Sequence, residues 1–411
     1  MKLHWKILIA MGLGVIVGFL YNDSLSQDNT FYDLIILLGD IFIRLLKMVI
    51  VPLVLTSIII GISSINDRAK IGRMGLKTLI YYISTSLIAI LIGLSLVNTI
   101  KPGEGAKPIS EVEAYDVSQL QSNSIIDIFK RMVPENPIDA LASTDMLSII
   151  FFAIFFGLML NFVDTKYSKP VLGFVNSIYQ IILKMTQIIL ITAPIGVFGL
   201  IVNAVSTSGL SIFKELGLYA ITLISGLSIH LFIVIHLILI LIVKVNPIKH
   251  FKAISSAMVT AFSTSSSSAT LPVTIKCVRD NVKVSNETSS FVLPMGATIN
   301  MDGTALYECV GVLFIAQAIG IPLDASQQFV VVITALLASI GAAGIPSAGT
   351  VMLFIVTDAV GLQSDVVAVW VGSMMAIDRP LDMFRTMVNV ASDSGGAAGI
   401  AKSEGENLYS D

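Results

Sequence analysis

Charged side chains are scarce in this chain. Only 13% of its 411 residues are Asp, Glu, Lys or Arg, against about 25% in soluble domains. With 55% hydrophobic residues and a mean hydropathy of +0.87, that scarcity excludes an ordinary soluble domain and indicates a polytopic membrane protein. Cysteine is almost absent too. Cys277 and Cys309 form no disulfide or metal-binding pattern and read as buried small side chains in or beside apolar segments. The net charge of −3 offers no basic surface for nucleic acid. Histidine is rare: His4, His230, His236 and His250 all lie far in sequence from the polar motifs described below. No base is evident to activate a nucleophile, which argues against an enzyme. His230 and His236, inside one apolar run, read as packed side chains.

What is abundant is apolar sequence in membrane-length runs, each needing about 20 residues to span. They cover Ile7–Tyr21, Leu34–Ile65, Leu79–Ile100, Leu147–Phe162, Val171–Val205 and Leu216–Val243. The basic start and apolar run of MKLHWKILIAMGLGVIVGFLY imitate a signal peptide, but no small-residue cleavage site precedes Asn22, so an uncleaved first helix is expected. Lysine and arginine cluster at Lys2 and Lys6, at Arg68, Lys70, Arg73 and Lys77, at Lys166 and Lys169, and over Lys244–Lys252. These places are expected on the cytoplasmic side. The segment Asp23–Asp33 and the acidic loop around Glu104–Asp116 are expected outside, which puts the amino terminus inside.

Beyond Val243 the pattern changes. Phe251–Phe262 and Val273–Val278 are apolar arms too short to span, around the hydroxyl-rich tip STSSSSATLP that ends at Pro272. Such a pair reads as a re-entrant hairpin. Flanking Lys249, Lys252, Lys276 and Arg279 predict cytoplasmic insertion. The next span, Ser290–Ile319, is interrupted by GATINMDGT, with Asn300 and Asp302 at its middle and Gly303 weakening the helix there. The order then repeats: arms Phe329–Gly341 and Val351–Leu362 flank AAGIPSAGT, and a polar helix follows. By alternation the second hairpin enters from outside. Paired interrupted segments in opposite orientations point to a transporter site at an inverted-repeat interface.

That last helix carries DRPLDMFRTMVNVASD, placing Asp378, Asp382, Arg385, Thr386, Asn389 and Asp393 along one stripe. An ionised side chain at the bilayer centre costs roughly 2.5–3.5 kcal/mol on insertion scales, so the stripe must face protein or a cavity. Asp382 can take an ammonium and Arg385 a carboxylate. A ligand bridging both is an amino acid. Asp378 reads equally well as support for its neighbours. A purely structural salt-bridge network is the alternative for the stripe, and a locally satisfied kink is the alternative at Asn300 and Asp302. For the serines at 265–268, helix packing competes with substrate contact.

Together, SSSSATLP, NMDGT, AGIPSAGT and the polar stripe resemble the glutamate/aspartate transporter family, the dicarboxylate/amino acid:cation symporters, in a prokaryotic form. The resemblance covers nearly the whole chain. It implies an all-α polytopic membrane protein with eight transmembrane helices, two re-entrant hairpins and inverted repeats, working as an elevator-type transporter and assembled as a homotrimer. Residues 1–78 and 101–215 would form scaffold helices 1–2 and 4–5, the latter with the external loop. Residues 79–100 and 216–401 would form the transport domain, and 402–411 a cytoplasmic tail. Both termini would lie on the cytoplasmic side of the inner (plasma) membrane.

Residue by residue, the resemblance implies that Asp382 holds the substrate ammonium with Thr386 and the Ile345 carbonyl. Arg385, Thr304 and the Gly349 amide would hold the side-chain carboxylate. Asn389, Ser267 and hairpin amides would take the α-carboxylate, with Ser266, Ser268 and Met301 also at the substrate. One sodium site would use Asn300, Asp393 and the carbonyls of Gly296 and Asn389. A second would use Asp302 and Asn300 with Tyr82, Thr85 and Ser86. A third would use carbonyls around Thr298, Ser339, Ile340 and Ala342. Where other members carry arginine, this chain has Ser265 and Met383, and Ala342 replaces a common threonine. No covalent cofactor is expected; sodium is the expected coupling ion and an acidic amino acid the cargo. Proton coupling, a neutral amino acid or a C4-dicarboxylate are the alternatives.

Overall fold

Backbone polar groups in hydrocarbon must be satisfied within their own segment, so apolar runs wind into helices. The computed structural model describes residues 3–22, 30–63, 70–106, 130, 132–208, 212–342, 344, 347–362 and 364–409, and among them there is no strand. The acidic loop beyond residue 106, Arg68 and Ile345 lie outside the described residues. The chain is an all-α polytopic membrane protein. Its helices are α1 (Leu3–Asn22), α2 (Thr30–Ser63), α3 (Lys70–Ile100), the short α4 (Pro137–Ala142), α5 (Met146–Leu160), α6 (Thr165–Ile191) and α7 (Ala193–Ser208). Next comes α8 (Ile212–Ile229), which continues through π-helical turns at His230–Val234 and Leu239–Val243.

The first hairpin comprises α9 (Pro247–Ala253), α10 (Ser255–Thr264) and α11 (Ser267–Cys277). The interrupted span is α12 (Asn286–Ile299) and α13 (Asp302–Ala318); α14 (Ala325–Gly341) and α15 (Ala348–Ala359) make the second hairpin. The chain's longest helix, α16 (Ser364–Ser403), closes the order.

Two expectations need correction. The fifth apolar run, expected as one span over Val171–Val205, is two helices broken at Thr192, whose hydroxyl bonds the Ile189 carbonyl at 2.7 Å. Pro194 follows; its ring has no N–H and crowds the carbonyl four residues back, so α6 cannot run on. The first hairpin reverses only at Ser265 and Ser266, a shorter tip than the sequence suggested. Ser265 takes a left-handed conformation (φ 51°). The Ser266 hydroxyl accepts from the Ala269 amide at 3.1 Å and starts α11 at Ser267, so Pro272 sits inside that helix. Serine capping decides the boundary.

α1 and α2 both pack on α7, and α2 also covers α5 and α6. A second group gathers around α16, which touches α10, α12, α13 and α15, while α3 lies along α13 and α8. The hairpins enter from opposite ends of this group. At one end, Glu404 just past α16 pairs with Arg73 and, at 2.6 Å, with Lys77 near the start of α3. Also there, the Tyr409 hydroxyl meets His250 Nδ1 at 2.7 Å, at the base of the first hairpin. At the far end of α3, Asn98 Nδ2 donates to Gln328 Oε1 at the base of the second hairpin, at 2.9 Å. The tips meet between: the Ser266 hydroxyl and the Ser268 amide both donate to the Gly344 carbonyl, at 2.6 and 3.3 Å. A Cβ on Gly344 would lie 2.8 Å from the Ala297 backbone carbonyl oxygen, so glycine suits this close approach.

Candidate functional site

Where the tips meet α16, helical spacing brings one polar stripe inward. Arg385 is 1% exposed. Its Nη2 donates to Asp382 Oδ1 at 2.6 Å and its Nη1 to Asp378 Oδ1 at 3.3 Å. Its guanidinium lies 3.9 Å from the centre of the Tyr307 ring, a cation–π contact that adds to the ion pairs. Asp382 Oδ2 accepts from the Ser347 amide of the second tip at 2.9 Å, and Asp378 Oδ2 from the Thr350 hydroxyl at 3.2 Å. Gly349 lets this happen, since a Cβ there would be 3.2 Å from the Arg385 guanidinium carbon. Asn389 ties the stripe to the interrupted helix: its Oδ1 accepts from the Gly303 amide at 2.8 Å, and its Nδ2 donates to Thr304 Oγ1 at 3.3 Å. Thr386 turns its hydroxyl to the Asp382 carbonyl, at 2.8 Å. Ser267 and Met301 are buried.

Further along the same stripe a second cluster forms around the break in the α12–α13 span. Asp302 Oδ1 accepts from Ser86 at 2.7 Å and Thr85 at 3.1 Å, both from α3. Its Oδ2 accepts from Ser392 at 2.6 Å and lies 2.9 Å from His230 Nε2. Asn300 Nδ2 donates to Asp393 Oδ1 at 2.9 Å and to Ser392 at 3.1 Å, while its Oδ1 accepts from Thr85 at 3.3 Å. Gly296 makes room here: a Cβ would lie 2.6 Å from both Asp393 Oδ1 and the Tyr82 hydroxyl. Tyr82 donates to the Val292 carbonyl at 2.9 Å, so among the three α3 residues only Thr85 and Ser86 bond Asp302 directly. Carboxylate, amide and hydroxyl oxygens beside an opened backbone are a donor set suited to a hard cation.

The third expected group is looser. The Ser339 hydroxyl bonds the Leu336 carbonyl at 2.8 Å, and Thr298 bonds the Met295 carbonyl at 3.1 Å. Thr298 and Ala342 line a cavity of about 350 Å³ that also touches Ser57 of α2 and Tyr179 of α6. Ile340 is half-buried at the end of α14.

Sequence reasoning missed several residues in and around these clusters. Ser392 bridges Asn300 and Asp302 but looks like any small residue in a helix. Tyr307 stacks on Arg385. Glu308 is fully buried with neither carboxyl oxygen hydrogen-bonded. His230 read as packing, yet its Nε2 meets Asp302 while Nδ1 has no hydrogen-bond partner. The available signal was an ionisable side chain in the middle of a membrane helix. His236, by contrast, stacks on Phe251 with centroids 4.7 Å apart.

A bundle of apolar helices enclosing opposed charges where two re-entrant tips meet defines the class of membrane transporters. Residues 3–403 match the model of the Sodium:dicarboxylate symporter family, and the chain belongs to that family. It is a multi-pass transporter and not an enzyme. Excitatory amino acid transporter 3 of Mus musculus is 35% identical across 97% of this chain and 85% of its own length. Excitatory amino acid transporter 2 of the same species is 34% identical across 100% of this chain and 82% of its own. The putative sodium-dependent excitatory amino acid transporter glt-4 of Caenorhabditis elegans is 34% identical across 93% and 86%.

Proposed function

We propose that the protein is a secondary active symporter that imports acidic amino acids, aspartate or glutamate, coupled to sodium ions. The observation that carries this reading is the buried Asp382–Arg385 pair at 2.6 Å where the two hairpin tips meet. A solute with an ammonium and a side-chain carboxylate can replace both halves of that pair, its ammonium on Asp382 and its carboxylate on Arg385. Thr386 would help hold the ammonium, Thr304 and the Gly349 amide the side-chain carboxylate, and Asn389, Ser267 and the amides at the tips the α-carboxylate. Asp302, Asn300, Asp393, Thr85 and Ser86 would hold sodium, with Tyr82, Gly296 and the backbone around Thr298, Ser339, Ile340 and Ala342 completing the cation sites.

The energetics favour cation coupling. An acidic amino acid carries net charge −1 at neutral pH, and entering against an inside-negative potential costs about 2.3 kcal/mol per charge per 100 mV. Two or more sodium ions travelling with it reverse the sign. Cation binding would order the second hairpin over the solute, so that only the loaded or the empty domain crosses. We take that domain to be residues 79–100 and 216–401, moving as an elevator against a trimeric scaffold in the plasma membrane, with both termini cytoplasmic.

Glu308 supports a second reading, in which a proton travels too. It is a buried carboxyl whose charge no hydrogen bond offsets. Uptake of aspartate into proteoliposomes under separate sodium and proton gradients tests both. Sodium-driven uptake that a proton gradient cannot replace supports the first, and uptake driven by protons alone refutes it.

A further inference from the structure

A second guanidinium reaches Asp382. Arg379, one turn before it on the same helix, places Nη1 3.7 Å from Asp382 Oδ2, the oxygen that also accepts the Ser347 amide. The two arginines are held differently. Arg385 is 1% exposed, stacked on Tyr307 and bonded to two carboxylates. The Arg379 side chain is 25% exposed at the edge of the site, and its pairing distance is long. Arg385 is therefore built in, whereas Arg379 can swing away. The charge count gives this a purpose. Asp378 and Asp382 against Arg385 alone leave one negative charge; Arg379 brings the group to neutrality.

We propose that Arg379 is a removable counter-ion that stands on Asp382 in place of a solute's ammonium, and so sets how well the carrier separates amino acids from amine-free dicarboxylates. This rests on the reading that the ammonium sits on Asp382. An arriving amino acid brings its own cation to that carboxylate, and two like charges on one oxygen repel. Arg379 must then leave, and its pairing opposes binding. A C4-dicarboxylate brings no cation. Arg379 stays and screens the carboxylate that would otherwise repel the ligand. Removing the guanidinium therefore moves the two ligands in opposite directions, whereas a residue that merely shaped the site would weaken both.

The test uses the full-length protein with Arg379→Gln, Arg379→Met and Arg379→Lys, measuring aspartate by titration calorimetry in sodium and succinate by competition. A partly exposed ion pair is worth enough for about a threefold change. In the Gln and Met variants the aspartate Kd is expected to fall about threefold and the succinate inhibition constant to rise by about the same factor. Lys should stay close to wild type. Aspartate and succinate weakening together, neither changing, or succinate failing to compete in the wild type each overturns the role of Arg379. Wild-type protein that binds no acidic amino acid in sodium instead removes the underlying reading of Asp382.

Discussion

The two polar clusters share α16 but settle their charges in opposite ways. Around Asp382, each carboxylate meets a guanidinium, and the charges balance among themselves. Around Asp302 and Asp393, the partners are hydroxyls, an amide and one imidazole, and among the described residues no lysine or arginine pairs with either acid. In the proposed reading the first cluster is already balanced before its solute arrives, because the arginine assigned to a carboxylate pairs with the aspartate assigned to an ammonium. The second has no such built-in guanidinium and, in the same reading, takes a cation from outside. That difference is, in the proposed reading, a physical basis for cations preceding and promoting the solute, because a buried charge left unpaired is costly.

The largest expected effect comes from breaking the neutral cluster. Arg385→Ala should abolish measurable acidic amino-acid binding, a loss of at least about a hundredfold, since truncating one partner of a buried charge pair costs about 2–5 kcal/mol. Titration of aspartate checks it, and an unchanged affinity would take Arg385 out of the site. Small neutral amino acids should be the ligands that survive. Next comes Asp302→Asn, which removes a charge from the deficient cluster and leaves the geometry. Sodium should then stimulate uptake about tenfold less effectively, roughly the value of one charged interaction. Sodium dependence identical to wild type would place the cation elsewhere.

A smaller effect sharpens the comparison. Ser392→Ala deletes a neutral donor to Asp302 without touching the charge count, and one such bond contributes about 1 kcal/mol. The sodium concentration for half-maximal uptake should rise about fivefold, with the aspartate affinity at saturating sodium nearly unmoved; a change confined to aspartate would assign Ser392 to the other cluster. The smallest effect lies outside the membrane. Lys77 and Arg73 hold the Glu404 carboxyl below the usual carboxylate range. Its contribution to stability is complete above the ordinary value near 4.3 and disappears as pH falls through the lower folded one. Glu404→Gln should therefore lower the melting temperature slightly at pH 7, and the gap from wild type should close toward pH 3. A gap that widens in acid would contradict that sign.

Much of this arrangement was legible beforehand because membranes restrict what a sequence can do. Long apolar runs have to be helices, short paired runs with Gly or Pro between them have to turn back, and charges in such runs have to meet partners. The stripe from Asp378 to Asp393 followed from the three-to-four-residue spacing alone. Less legible were features set by single residues. Thr192 and Pro194 split an apolar run that hydropathy reads as continuous, and the Ser266 cap ends the hairpin tip well before Pro272, which falls inside α11. His230, 72 positions from Asp302, joined its cluster only through packing, whereas Arg379 lies three residues from Asp382 on the same helix.

Sequence alone determined the helices, the two interrupted pairs and which side chains could afford neither water nor lipid, since hydrocarbon leaves the backbone one local solution. Asp382 and Arg385 pair at helical spacing within α16, but which side chains meet across helices was decided only by tertiary structure. Pairing depends on how α3, α8, α13 and the second hairpin tip converge on α16 from distant parts of the chain, and no local spacing encodes that convergence.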